Sequence, residues 1–470
     1  MKERAARLAS GNRTSGQPPA PGPTVIIVGP PWPRSAAIRV IQNQVQFYRE
    51  RGFRTAFVGV PFYWYVKHVP QSSKGLTEAI NELDADKIFT AIFDQKTFDS
   101  AKYKASNRHA LLGTVLDWQV VIARAARLSD EDTDSLGDLR GTLFHVNHLY
   151  TLGFALDLRK RLFGANSNLP LILETHDVQS HLTHEKRDRN PGTGRPDSLR
   201  RLIRSETTLV EKADVLVHLS LDDMKFFQTY LPSKPQFLAF PTIDEKFRSI
   251  VRTASMPAEA IDLLFVGQWH PANLGALKWF FEEIWPLIAR RHYKVRIVGQ
   301  IGQLMQRSLP QLYDDFRSFF VGEVVDLVPY YRAARCVIAP MLSGTGISIK
   351  TIEALAMGKP LVGTSKAFRG MPIERLKEAG IQAFNDPQSF AQAISRSLSA
   401  EHDAAAASRA AYDDVFSARA SFASRDEALR AATVLDQAVT RSMRCYRDPQ
   451  ANPSFESDRM SRGSSTQRRA

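Results

Sequence analysis

Between residues 337 and 362 the sequence has the pattern of a strand, a glycine-containing loop, a helix and a second strand. Gly344 and Gly346 carry no side chain, so the loop backbone can approach an anion closely. Free amides at the start of the helix face the same place, and the helix dipole adds to the attraction. Lys350, in the first helical turn, can reach a phosphate, and Glu353, one turn later, can accept hydrogen bonds from ribose hydroxyls. The segment predicts a nucleotide-phosphate site; a strand–turn–helix that binds nothing is the alternative.

Histidines end two apolar runs in the N-terminal half of the chain. His176 and Asp177 follow one run, and His145, Asn147 and His148 stand at the end of another, FHVNH. A histidine at the carboxyl end of a buried strand suits proton transfer or hydrogen bonding near pH 7. The pair is therefore a candidate for the chemical step, and the trio for the pocket of a second substrate. A purely structural role is the alternative for both groups.

Strand-like and helical patterns alternate along the chain, and these elements must position the candidate residues. A strand at 24–28, a helix at 35–51 and a strand at 54–60 form a βαβ unit, which is typical of a parallel sheet. The acidic stretch 130–138 is expected to be a loop. A second alternation begins with a strand at 262–266. Ligands of such sheets bind beyond the carboxyl ends of the strands, where both groups of candidates lie.

A chain of 470 residues is too long for one ordinary core. Proline-punctuated sequence around 232–257 separates the two alternations and is expected to be a linker. The predicted fold is α/β, with two Rossmann-like domains facing across a cleft. The predicted segments are a disordered basic tail (1–23), an N-terminal domain (24–245), a C-terminal domain (258–400), C-terminal helices (401–440) and a second disordered basic tail (441–470).

The chain is basic, with a formal net charge of +13 and a pI of about 9.7. Part of this charge lies in the two tails, which are also rich in Ser, Pro, Gly and Gln. Solubility is the simplest interpretation of such tails, and peripheral contact with an anionic membrane surface is the alternative. No basic-aromatic pattern of a nucleic-acid-binding module is present, so no nucleic acid is expected as a partner.

Several other classes of protein are disfavoured by the sequence. Two cysteines make no disulfide framework, and neither a signal-like core in 1–23 nor an uncharged apolar run of 18 residues occurs. We therefore expect a cytoplasmic protein, and one at the inner face of the membrane if the basic tails act there. The Asp-x-Asp pairs at 84–86 and 132–134 stand in polar sequence, and no Cys/His spacing indicates a metal site. No P-loop or Gly-x-Ser-x-Gly motif occurs.

The sequence EALAMGKPLV at 353–362 matches a longer known pattern, Glu-Ala-x-Ala-x-Gly-x-Pro-x-Val. With it, the chain resembles the GT-B glycosyltransferases called group 1, or family 4. Its flanks are similar to a branch linked with bacterial polysaccharide assembly: FVG at 265–267, PAN at 271–273, VRIVG at 295–299 and FVGEV at 320–324. The resemblance is strong over about 262–400 and weaker but continuous over 24–245.

This resemblance implies a nucleotide-sugar glycosyltransferase. Such an enzyme moves a sugar from a nucleotide-diphosphate donor to a glycan or lipid-linked acceptor, with retention of anomeric configuration. It implies no bound metal or other cofactor, and a role in bacterial polysaccharide or glycoconjugate synthesis. The donor would bind the C-terminal domain and the acceptor the N-terminal domain.

The resemblance also gives roles to individual residues. Glu353 matches the glutamate that binds the donor ribose, and His176 resembles the histidine placed near the transferred sugar, with Asp177 beside it. His145, Asn147 and His148 become candidates for the acceptor pocket. The donor-binding candidates are Gly344, Thr345, Gly346, Lys350, Glu353, Gly267, His270 and Asn273.

The sequence departs from the family pattern at two places. The family's first glutamate falls on Thr345, and the usual Arg and Lys after the first strand are missing from 268–273. Charge for a diphosphate would then come from Lys350, His270 or Lys278, or from amides. A catalytically silent nucleotide-sugar or glycan-binding protein, and a nucleotide-sugar epimerase of the same shape, are the alternative functions.

Overall fold

The computed structural model describes residues 23–31, 36–60, 83–93, 96, 123, 125–139, 141–182, 199–243, 248, 260–399 and 404–447. Two parallel sheets with helices between their strands form two α/β domains, as predicted. The central strands of both sheets are near-continuous apolar runs and are buried on both faces.

The N-terminal domain contains a seven-stranded parallel sheet and a short antiparallel ribbon. The strands are β1 (Thr24–Gly29), β2 (Arg54–Gly59), β3 (Lys87–Thr90), β4 (Ile92–Phe93), β5 (Ala126–Arg127), β6 (Gly141–Asn147), β7 (Leu171–Thr175), β8 (Val215–His218) and β9 (Gln236–Leu238). The spatial order in the sheet is β3-β2-β1-β6-β7-β8-β9, while β4 and β5 form the ribbon. The reversal of strand order at β1 and β6 opens a crevice at their carboxyl ends.

Among the described residues, the helices of this domain are α1 (Ala36–Glu50), α2 (Asp130–Gly137), α3 (Leu149–Phe163), α4 (Leu199–Val210) and α5 (Leu221–Tyr230). Helix α2 corrects the loop predicted for 130–138. The Ser129 hydroxyl accepts a hydrogen bond from the Asp132 amide at 3.0 Å, and three acidic residues fill the first turn. A capping hydroxyl and acidic residues at the N-terminus stabilise a helix that has little apolar periodicity.

The C-terminal domain has a five-stranded parallel sheet in the order β12-β11-β10-β13-β14. Its strands are β10 (Ile261–Val266), β11 (Val295–Val298), β12 (Phe320–Gly322), β13 (Ala334–Ala339) and β14 (Leu361–Gly363). Its helices are α6 (Pro271–Trp279), which continues through a π-helical turn (Phe280–Ile284) into α7 (Trp285–Ile288), α8 (Ile301–Ser308), α9 (Pro310–Asp315), α10 (Val328–Ala333), α11 (Ile349–Ala356), α12 (Ile373–Glu378) and α13 (Pro387–Leu398).

The last two helices of the described part of the chain connect the domains. Helix α14 (Ala404–Val415) packs on α11 of the C-terminal domain, and α15 (Ala418–Arg447) returns to pack on β7, β8 and β9 of the N-terminal sheet. The predicted boundary between C-terminal helices and a disordered tail at 440/441 is therefore wrong, because α15 continues through it to Arg447. Residues 1–22 and 448–470, where the basic tails were predicted, lie outside the described residues.

None of the described helices is both long enough and apolar enough to span a membrane.

Candidate functional site

A cavity of about 490 Å³ lies between the two domains. The carboxyl end of β13, the loop after it and the start of α11 form its C-terminal wall, while the ends of β6 and β7 form the opposite wall. Of the predicted site residues, the cavity is lined by His148, His176, Asp177, Gly267, His270, Asn273, Gly344, Thr345, Lys350 and Glu353. The fold therefore brings the donor candidates and the His176 pair to one place.

The glycine loop requires its two glycines for different reasons. Gly344 has φ +133°, which side chains rarely adopt, and the Arg369 guanidinium lies against it. Gly346 has φ +59° and faces the other domain, where a Cβ atom on it would lie 2.2 Å from Asp177 Oδ1. The loop thus passes close to the His176–Asp177 segment, and a side chain at position 346 would force the Asp177 carboxylate to move.

Lys350 extends from the first turn of α11 into a wall of the cavity. Its ammonium donates a hydrogen bond to Asn273 Oδ1 and lies 4.6 Å from the centre of the Phe265 ring. Burial, with a smaller contribution from the nearby Arg369 guanidinium, lowers the pKa of Lys350 to about 7. An anion bound here would favour the charged ammonium.

Arg369 is a second cation at this wall, and the sequence analysis missed it. Its Nε atom donates to the Thr345 carbonyl at 3.1 Å, and Nη1 donates to the Lys366 carbonyl at 2.9 Å. These bonds hold the guanidinium over Gly344, beside the cavity. The family pattern has an arginine after β10, but segment 268–273 contains none. Arg369 comes after β14 instead, and only the fold brings it to this wall.

Glu353 is 5% exposed and is held from both domains. The Tyr331 hydroxyl donates to its Oε2 atom at 2.9 Å, and Arg39 of α1 forms an ion pair with its Oε1 atom across the cleft. Neither partner was predicted, because each becomes a neighbour only through tertiary contact. The Glu353 carboxylate therefore faces the cavity, and Arg39 of the opposite domain balances its charge.

The other donor candidates on the C-terminal domain support the wall. His270 is the N-cap of α6, where its Nδ1 atom accepts from the Ala272 amide at 3.1 Å. Asn273 donates from Nδ2 to the Gln268 carbonyl at 2.9 Å and accepts from Lys350. Lys278 is half-exposed on α6 near Glu282, away from the residues that line the cavity.

His176 is partly exposed to the cavity and hydrogen-bonded beneath it. Its Nε2 atom lies 3.1 Å from Asn147 Oδ1, and its ring stacks on that of His148 with centres 3.6 Å apart. His148 has φ +66°, and Tyr150 stacks on it from the other side. Burial lowers the pKa of His176 to about 4, so its imidazole is neutral at pH 7.

His145 and Asn147 lie beneath the cavity wall and are 2% and 0% exposed. His145 bonds through Nε2 to Glu174 Oε2 at 3.0 Å and through Nδ1 to the Tyr48 hydroxyl at 2.9 Å. These contacts correct the prediction that His145 and Asn147 contact an acceptor, since both are buried supports. Of the predicted trio, His148 alone borders the cavity.

Glu174 is the centre of this buried network. Arg425 of α15 binds it through both terminal nitrogens, one of them 2.8 Å from Oε1. Glu174 is 0% exposed and the Arg425 side chain 2%. The pKa of Glu174 stays well below its ordinary value, because Arg425 and the hydrogen bonds outweigh the cost of burial. A charged pair, with Arg425 from α15 and Glu174 from β7, therefore lies directly under the site.

The two domains also touch at one further point beside the cavity. The Leu221 amide donates to the Gly370 carbonyl at 2.8 Å, and the Gly370 amide donates to Asp222 Oδ2 at 2.9 Å. A Cβ atom on Gly370 would lie 2.4 Å from the Ser220 hydroxyl. Together with Arg39–Glu353 and Gly346–Asp177, this contact describes a closed arrangement of the domains.

The aspartate pair at 84–86, considered as a source of metal ligands, has protein partners. Asp84 pairs with Arg49, and Asp86 accepts from the amide and hydroxyl of Thr55. Within the described part of the chain no three His, Cys, Asp or Glu side chains are grouped to hold a metal ion.

Residues 260–400 match the sequence model of the family described as Glycosyl transferases group 1. No curated protein matches the chain in sequence. Solved structures match it in fold. HepE from Anabaena in complex with UDP is 12% identical, covers 87% of this chain and 100% of its own, and has a TM-score of 0.54.

Two other solved structures have similar scores. A glycosyltransferase from Rickettsia africae is 13% identical, covers 86% of this chain and 97% of its own, and has a TM-score of 0.55. A variant of TarM from S. aureus, in complex with fondaparinux, α-GlcNAc-glycerol and UDP, is 8% identical, covers 88% of this chain and 99% of its own, and has a TM-score of 0.54. The likeness extends over both domains.

Proposed function

We propose that this chain, which has the GT-B fold and a group 1 glycosyltransferase domain at 260–400, transfers a sugar from a nucleotide-diphosphate donor to a glycan or lipid-linked acceptor. One observation carries the proposal. Lys350, Arg369, the first amides of α11 and Glu353 surround one cavity, which the His176 segment closes from the other domain. Cations and helix amides suit a diphosphate, and a carboxylate suits ribose hydroxyls.

In this proposal the diphosphate binds between Lys350 and Arg369, at the start of α11. Charge develops on the departing nucleoside diphosphate as the glycosidic bond breaks. Two fixed cations and oriented amides stabilise that charge without reorganising, which is the largest contribution available to such a site. Because these cations balance the diphosphate charge, the proposed reaction needs no divalent metal. A chelator should therefore leave the rate of sugar transfer unchanged.

The ribose would bind Glu353. Since Arg39 pairs with this carboxylate in the closed structure, the ribose hydroxyls would share or replace that contact. The UDP held by the HepE and TarM structures supports UDP-sugars as the first donors to test.

The transferred sugar would lie between the glycine loop and His176. The neutral imidazole offers a hydrogen bond to a sugar hydroxyl, while Asp177 keeps the loop close by its contact with Gly346. We propose retention of configuration, as the family resemblance implies, and the anomeric proton of the product in NMR spectra tests it.

We also propose where the acceptor binds and which pathway the enzyme serves. The acceptor would face His148 and the rest of the N-terminal wall. The pathway would be bacterial polysaccharide or glycoconjugate synthesis. We propose a cytoplasmic enzyme whose basic termini bring it to the inner face of the membrane. Sedimentation with anionic and with neutral vesicles tests this placement.

One observation favours a second function, binding of a nucleotide sugar without turnover. Thr345 stands where the family has its first glutamate, so the sugar side of the cavity has one carboxylate fewer. Calorimetry with a panel of nucleotide sugars, followed by mass spectrometry of reactions with glycan and lipid-linked acceptors, separates the two functions. Acceptor-dependent release of nucleoside diphosphate supports transfer, and binding without release supports the second function.

A matched pair of lysine variants locates the site in the same experiment. Lys350→Met removes the cavity cation and should abolish release. Lys278→Met removes a half-exposed lysine of α6 and should leave release unchanged. Donor conversion without any acceptor would instead indicate an epimerase or a hydrolase.

A further inference from the structure

A continuous chain of buried polar contacts links the C-terminal helix to the cavity. It runs from Arg425 on α15 through Glu174, Gln44 and Asn147 to His176. Of these five, only His176 borders the cavity between the domains. The other four lie in four different elements, α15, β7, α1 and β6, so these contacts join distant parts of the sequence at one point.

The orientation of the Gln44 amide is fixed by Glu174. A carboxylate paired with arginine can only accept hydrogen bonds. Gln44 lies 2.8 Å from Glu174 Oε2, so it must present its NH₂ group there. The second proton of that group then points to Asn147 Oδ1, also at 2.8 Å.

The orientation of Asn147 follows from that of Gln44. Its Nδ2 atom donates back to Gln44 Oε1 at 2.9 Å, so the two amides form a reciprocal pair. Oδ1 is consequently the atom that faces His176 Nε2 at 3.1 Å. An amide oxygen only accepts, so Nε2 of the neutral His176 must carry the proton and Nδ1 the lone pair.

We propose that Arg425, Glu174, Gln44 and Asn147 are positioning residues that hold His176 as its Nε2–H tautomer, so that Nδ1 accepts a hydrogen bond from a hydroxyl of the bound sugar. The sugar contact rests on the proposed glycosyltransferase function; the tautomer control does not. The wrong tautomer would present an N–H donor at Nδ1 and lose an acceptor. Helix α15, which lies far from the glycine loop in sequence, thereby sets the chemistry of the site.

Nitrogen-15 NMR of the full chain labelled at histidine tests the inference directly. The two tautomers have different chemical shifts at Nδ1 and Nε2, and the His176→Gln variant identifies the signal. The wild-type protein should show the Nε2–H tautomer alone. A wild-type His176 with its proton on Nδ1 would overturn the proposal.

Two variants test the relay. Gln44→Leu frees the Asn147 amide to rotate and should give His176 a mixture of tautomers. Glu174→Gln replaces the acceptor by an amide that donates or accepts, and should do the same where it folds. His218, whose partners are Thr175 and Gln236, is an internal control for Gln44→Leu and should keep its signals in that variant. An unchanged His176 signal in folded Gln44→Leu would refute the relay.

Kinetics of the same variants test the sugar contact. Gln44→Leu should lower kcat about two- to tenfold, in proportion to the fraction of His176 that loses the Nε2–H tautomer, with a smaller change in KM. Equal kcat in Gln44→Leu and wild type would overturn the sugar contact even if the tautomer shifts. If the tautomer shifts but no donor reacts with any acceptor in the wild type, the positioning role stands and the proposed function fails.

Discussion

Donor binding should take up a proton, because Lys350 is only partly charged in the ligand-free protein. Burial and Arg369 bring its pKa to about 7. A diphosphate beside the ammonium favours the charged form and raises this pKa. With the free pKa of about 7, roughly a tenth of the molecules carry this proton at pH 8, so binding takes up about 0.9 proton there and about 0.1 at pH 6.

The same linkage sets the direction in which donor affinity changes with pH. If the donor binds only the ammonium form, its dissociation constant is nearly constant below pH 7. Above pH 7 it rises about tenfold per pH unit, or about 1.4 kcal/mol per unit. A UDP-sugar is the right probe, since its diphosphate has no ionisation of its own in this range and contributes no proton.

Calorimetry in buffers with different ionisation enthalpies measures the uptake. Lys350→Arg keeps a cation that does not titrate, so its uptake at pH 8 should fall to near zero and its affinity should lose the pH dependence. Lys278→Met should behave like the wild type. Uptake near zero in the wild type at pH 8, or equal uptake in Lys350→Arg, would refute the placement of the diphosphate at Lys350.

Three further predictions follow from single contacts. Glu353→Gln removes a charged acceptor of the ribose and should weaken nucleotide binding by about 10- to 100-fold, measured by calorimetry, with an unchanged melting temperature. Gly346→Ala places a Cβ atom 2.2 Å from Asp177 Oδ1 at φ +59°, so the domains should stay apart. Its radius of gyration in X-ray scattering should exceed that of the wild type, and an equal value would contradict the closed contact. Arg425→Met leaves Glu174 buried without its partner and should cost about 3–5 kcal/mol of unfolding free energy in urea, whereas Arg161→Ala, at an exposed pair, should cost at most about 1 kcal/mol.

The local pattern is enough to predict which residues form the C-terminal wall of the cavity. The apolar runs around the glycine loop define strand, turn and helix, and the periodicity of 349–356 places Lys350 and Glu353 on its first turns. These features depend on neighbours in sequence. His176 and the glycine loop each follow the carboxyl end of a parallel strand, but in two different sheets, and the facing of the two domains brings them together.

Residues that act through tertiary contacts could not be predicted in the same way. Arg369 reaches the cavity because the chain turns back after β14, and Arg39 because the domains close. His145 and His148 end one buried strand, and a strand buried on both faces has no alternation to separate core from cavity. Arg425 lies 251 residues from its partner Glu174, so no local signal connects them.

A crystal structure of the full chain with a bound nucleotide sugar tests the central claim most directly. It should show the diphosphate within hydrogen-bonding distance of Lys350 Nζ, the Arg369 guanidinium and the first amides of α11. Glu353 should accept a bond from the ribose, and His176 should face the sugar. A nucleotide sugar bound elsewhere, or bound in this cavity without contact to Lys350 and Glu353, would contradict the account.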